Sequence, residues 1–178
     1  MTSFEEWDSF YLIVGGAAGA LIGLQFVVMT LLADNPRHAS REAGAAFSTP
    51  TVVHFATALL LSAIMRMPWH HAAPAAALWG AVSLVAFAYA LGVIRRVRKQ
   101  TVYRPDFDDW CFYVVIPIVA YAALGIAAVM VTSYEHGSLF AVAGAAVVLL
   151  FVGIHNSWDA IAYHVLVARQ RADNEQTR

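Results

Sequence analysis

Apolar residues in this chain arrive in long runs separated by short polar stretches. The runs show no period-two alternation, which excludes a lipid-facing β-barrel. At about 1.5 Å per residue, roughly 20 helical residues cross a hydrocarbon layer about 30 Å thick. Five runs are candidates on that scale, covering about 10–32, 51–67, 72–94, 110–132 and 139–165. Backbone polar groups left unpaired in lipid are costly, so each run must be helical. The pattern predicts an all-α integral membrane protein, residues 1–178 forming one domain built as a five-transmembrane-helix bundle. There is no internal repeat, and an odd number of spans argues against an inverted-repeat transporter contained in one chain.

In chain order, the first span (Phe10–Leu32) opens with Trp7, Phe10 and Tyr11, aromatics suited to the membrane interface. Its Gly15, Gly19 and Gly23 recur at every fourth residue. Such a small-residue stripe lets another helix approach closely, either a span of the same chain or a second subunit. The polar connection Ala33–Thr49 has room for a surface helix with Ser40 as its N-cap. The second span, Thr51–Met67, is the shortest, and Arg66 can snorkel from its end before the belt-like exit Pro68-Trp69-His70-His71. The third ends in Arg95-Arg96-Val97-Arg98-Lys99, and the fourth, Trp110–Thr132, contains Pro117, which predicts a kink. Tyr134-Glu135-His136-Gly137 reads as a tight turn. The fifth span is unbroken from Leu139 to Ile154, meets His155-Asn156-Ser157-Trp158-Asp159, and resumes to Ala168, with a polar tail expected to fray after Arg169.

Composition reinforces the membrane reading: 60% of residues are hydrophobic and 13% charged, against roughly 25% charged in soluble domains. A net charge of -1 argues against nucleic acid as a partner. A lone cysteine, Cys111, excludes an intramolecular disulfide. The acidic start (Glu5, Glu6, Asp8) is unlike a signal peptide, so the first span is expected to be retained. Alternating the loops puts ten of the eleven Lys and Arg on one side and leaves Arg66 on the other. The positive-inside rule then sets the N-terminus outside and the C-terminus in the cytoplasm. Anionic lipid headgroups are the expected partners of Arg95, Arg96, Arg98 and Lys99. The pattern resembles that of many small bacterial inner-membrane proteins, a resemblance that assigns no residue a role.

Counted by depth, Gln25, His54 and His155 reach one level near the cytoplasmic side, with Asn156 and Asp159 beside it. His155, Asp159 and Tyr163 recur at every fourth residue and share a helix face. Ionisable groups in a span are costly, so this polar cluster is the first candidate site. The competing reading makes these residues interhelical hydrogen-bonding groups and interfacial side chains. Met65, Met67, His70 and His71, near Glu135 and His136, form a second constellation of thioether and imidazole groups that suits copper or zinc. No CxxC, HExxH, P-loop or GxGxxG occurs, which leans against an enzyme. The leading expectation is an oligomeric ion channel or transport protein lined by His54, His155 and Asp159. Two histidines at one depth on different spans also fit bis-imidazole ligation of haem in a b-type haem or quinone redox protein. The third reading is a non-catalytic subunit or scaffold docking through the glycine stripe.

Overall fold

The structure, a computed structural model, describes the backbone of residues 3–33, 41–99 and 107–176, and the side chains of 3–30, 50–95, 107–108 and 110–162. A 3-10 turn at Glu5–Trp7 leads into α1 (Asp8–Ala33), followed by α2 (Arg41–Met65), α3 (Ala72–Lys99) and the single turn α4 (Phe107–Trp110). A π-helical segment (Cys111–Val115) continues directly into α5 (Ile116–Met130), and α6 (Glu135–Gln176) completes the chain. Among the described residues there is no strand.

Four helical stretches are long and apolar enough to cross a membrane: Glu5–Thr30, Ala72–Arg95, Cys111–Met130 and Glu135–Ala162. They mark an integral membrane protein. The second expected span differs in kind. Its apolar helix, Pro50–Met65, is shorter; at about 1.5 Å per residue it reaches about 24 Å. It belongs to a longer helix that starts at Arg41, so the expected surface helix and the second span are one element; Ser40 and the connection before it lie outside the described residues.

Long-range contacts give the directions of the helices. Arg66 of the α2 end pairs with Asp8 at the start of α1, and Gly15 lies against Ser62, so α1 and α2 run in opposite directions. Ser3 bonds Glu135 and Ser157 bonds Gln25, so α1 and α6 run the same way. Gly125 abuts Ser83 and Gly80 faces Ala128, making α3 and α5 antiparallel. The helices pack in the spatial order α1, α2, α6, α5, α3, so α2 and α6 form the middle of the bundle and α3 is joined to it mainly through α5.

Two boundaries depart from the sequence pattern. The turn between the last two helices is Val131–Tyr134, and α6 starts at Glu135, so Glu135, His136 and Gly137 are helical. The Tyr134 N–H closes on the Met130 carbonyl at 2.8 Å, and the Tyr134 carbonyl already accepts the Ser138 N–H at 2.9 Å. An acidic residue in a first turn also complements the helix dipole. At its other end α6 runs on to Gln176 rather than fraying after Arg169. That tail lacks Gly and Pro and is rich in good helix formers. At 42 residues, α6 is about 63 Å long, twice what the hydrocarbon layer needs.

Pro117 has a visible consequence. Proline has no N–H to give to the carbonyl four residues earlier, and the segment before it adopts the wider π register, with the Ile116 N–H on the Cys111 carbonyl. Close packing elsewhere is set by missing side chains. A Cβ at Gly153 would run into the ring of buried Phe55, so α2 and α6 meet through this glycine. Of the predicted stripe on α1, only Gly15 is used this way, against Ser62; Gly19 and Gly23 have nothing within 4 Å. Aromatic pairs close the end of the bundle near the N-terminus, with Trp7 edge-on to Phe140 (centroids 4.7 Å apart) and Phe4 tilted against Trp79 (6.2 Å).

Candidate functional site

α2 delivers His54 into the interior, where it is 3% exposed. Its Nδ1 lies 2.9 Å from the hydroxyl of Tyr121 on α5. One turn further along α2, the Thr57 hydroxyl donates to the Val53 carbonyl at 2.8 Å. In a neutral imidazole one ring nitrogen donates and the other accepts, so the Tyr121 hydroxyl either accepts from Nδ1 or donates to it, and Nε2 takes the role opposite to that of Nδ1. That Nε2 is buried and has no hydrogen-bond partner.

α6 supplies the second group. Gly153 contacts Phe55, and the two helices run in opposite directions, so one residue back along α2 and three forward along α6 lead to the same depth within about one turn. The residues reached are His54 and Asn156. Asn156 is fully buried, and neither its carboxamide oxygen nor its nitrogen has a partner. Beside it, the Ser157 hydroxyl donates to the Oε1 atom of buried Gln25 at 3.1 Å. Nearer the N-terminal end, two more buried side chains leave a polar atom unpaired, Tyr11 at its hydroxyl and Trp79 at its indole N–H. An unpaired polar group in such a medium costs on the order of 1–3 kcal/mol by mutational measures.

Every described Asp, Glu, Lys or Arg side chain is exposed. The site is polar without being charged.

The residues singled out from the sequence divide into two sets. His54, Gln25 and Asn156 are each buried inside the bundle. His155 and Asp159 share a face, as their spacing requires, but that face points outward and both are exposed. The His155 ring stacks on Phe112 of the π-helical segment, centroids 3.6 Å apart and planes 7° from parallel. The two imidazoles thus point to different sides of α6, and a bis-histidine haem pair is not formed. The Tyr163 side chain lies outside the described residues, as do those of Arg96, Arg98 and Lys99.

The second constellation separates in the same manner. Met65 is in the core at 2% exposed, whereas Met67, His70 and His71 are exposed. Glu135 accepts the Ser3 hydroxyl, and the His136 ring lies edge-on to Phe140. No three His, Cys, Asp or Glu side chains among the described residues come together as a metal-binding group.

Tyr121, Thr57 and Ser157 were not among the residues picked from the sequence. Tyr121 did carry a signal, a phenol in the middle of an apolar run, since a buried hydroxyl needs a partner. Comparisons with known proteins found no matching family model, no matching curated protein and no matching solved structure.

Proposed function

We propose that this chain is a small membrane transport protein whose conduit is the polar interior of the bundle. One observation carries the reading. Buried polar atoms without partners belong to four helices and lie at several depths: Tyr11 on α1, Trp79 on α3, His54 on α2 and Asn156 on α6. A protein needing only lipid-compatible packing would place apolar side chains there, since removing an unpaired buried group favours folding. Atoms kept ready for a hydrogen bond are what a translocated polar solute requires.

The topology proposed with this function has five spans, α2 serving as the short one, the N-terminus outside and the C-terminus in the cytoplasm of a bacterial inner membrane. Ten of eleven basic residues then face the cytoplasm. Arg95, Arg96, Arg98 and Lys99 would meet anionic headgroups there. Assembly into a homo-oligomer is supported by the open face at Gly19 and Gly23, where a second copy can approach closely. The same face favours the alternative that the chain is an accessory subunit of a larger complex. Native mass in nanodiscs separates the two.

Purified protein in proteoliposomes tests the transport reading. Flux of at least one solute from a panel of potassium, protons, urea and glycerol should exceed that of protein-free vesicles, and His54→Phe should reduce it. Permeability equal to protein-free vesicles for the whole panel would refute transport by the isolated chain.

A further inference from the structure

We infer that the interior site of His54 and Asn156 takes a small uncharged solute that both donates and accepts hydrogen bonds, on the scale of urea or glycerol. The inference rests on the transport reading above and adds the class of solute. Three observations lead to it.

The first is the complement of atoms on offer. His54 Nε2 offers one unpartnered hydrogen-bonding position, accepting or donating according to the tautomer, and Asn156 presents an unpartnered carbonyl oxygen and an unpartnered NH2 group. A solute must donate to the amide oxygen, accept from the amide nitrogen and do one or the other at the imidazole. Hydroxyl and amide compounds do all three; a bare cation can only be coordinated, and an anion can only accept.

The second is the absence of charge. Each described acidic or basic side chain is exposed, including Asp8, Arg66, Glu135 and Asp159. An ion drawn into a low-dielectric interior without a compensating charge meets a steep desolvation penalty. Ion-conducting sites offset it with charged rings or with carbonyls released from the helix ladder. Here α6 passes His155–Asp159 as uninterrupted helix, so its carbonyls stay in the ladder.

The third is preorganisation. The Tyr121 hydroxyl holds one imidazole nitrogen at 2.9 Å, which fixes the direction of the other nitrogen before any solute arrives. Gln25 and Ser157 bond each other beside Asn156, whose amide is left without a partner. Tyr121 is a positioning residue; His54 and Asn156 would touch the solute.

The experiment is stopped-flow light scattering on proteoliposomes under urea and glycerol gradients, with potassium and proton flux followed by dyes in matched vesicles. The wild-type chain should pass urea or glycerol well above protein-free vesicles and leave both ion fluxes at background. Asn156→Leu, of similar volume, should slow the solute about tenfold, the worth of one hydrogen bond in a barrier. Gly144→Ala, on the open outward face of α6, should leave it unchanged. If Asn156→Leu fails to assemble, Asn156→Ser keeps one hydroxyl and should still slow the solute. Potassium or proton flux without urea or glycerol flux would overturn the solute class while leaving transport intact. No flux of any kind would overturn transport and this inference together. Neutral flux unaffected by either Asn156 variant would overturn the site, and a raised melting temperature for Asn156→Leu would then identify the amide as merely an unsatisfied structural group.

Discussion

His54 and His155 are the same side chain placed in apolar helices about equally far from one end, yet the fold treats them oppositely. His54 is enclosed, bonded at one nitrogen to a tyrosine and unpartnered at the other. His155 faces outward with its ring flat against Phe112. Its neighbour Asn156, one residue on, faces inward and is fully buried. A helix turns by about 100° per residue, so a single step along α6 exchanges exterior for interior. The difference teaches that depth in the membrane does not define a polar cluster. Helix rotation does.

The largest effect should come from removing the enclosed imidazole. His54→Ala leaves a cavity and strips Tyr121 of its imidazole partner, and a loss of about 2–4 kcal/mol is expected in reversible unfolding in detergent. A change below experimental error would mean that His54 is solvated and the interior is not sealed. Next come two glycines of α6. Gly153→Ala drives a methyl group into the Phe55 ring and should cost about 1–3 kcal/mol. Gly144→Ala meets nothing and should be neutral or slightly stabilising. Equal melting temperatures for the pair would contradict the inward and outward assignment. His155→Ala gives up only the stack on Phe112, a loss of about 0.5–1.5 kcal/mol. The smallest effect belongs to Asp159→Asn. This carboxylate is exposed, so both melting temperature and solute flux should match wild type. A flux change without a folding change would return Asp159 to the conducting site.

Much of the fold was legible because lipid allows so few backbone solutions. Run length alone located α1, α3, α5 and the apolar part of α6, and Pro117 announced an irregularity. Boundaries were harder. Glu135–Gly137 looks like a turn by composition, yet a helix tolerates one glycine in its first turn and gains from an acidic residue there. The site was half legible. His54, Gln25 and Asn156 stood out as polar residues in apolar runs, and the structure buries all three. What the sequence withheld was which way each one points. In a soluble helix the polar face marks the exterior, but in a membrane the outward and inward faces are both apolar, so that cue is lost. His155 and Asp159 were grouped with Asn156 on spacing and depth, neither of which reports rotation. Gly19 and Gly23 failed to predict packing within the chain for the same reason.

Oxygen accessibility of nitroxide spin labels tests that rotation most directly. Single cysteines at positions 151 to 159, in a Cys111→Ala background and reconstituted in lipid, would carry the labels one at a time. Accessibility to oxygen should peak at 151, 154, 155 and 158 and fall at 152, 153 and 156, following the exposed and buried sides of α6. A minimum at 155 with a maximum at 156 would mean that α6 is turned the other way, placing His155 inside the bundle and Asn156 in the lipid.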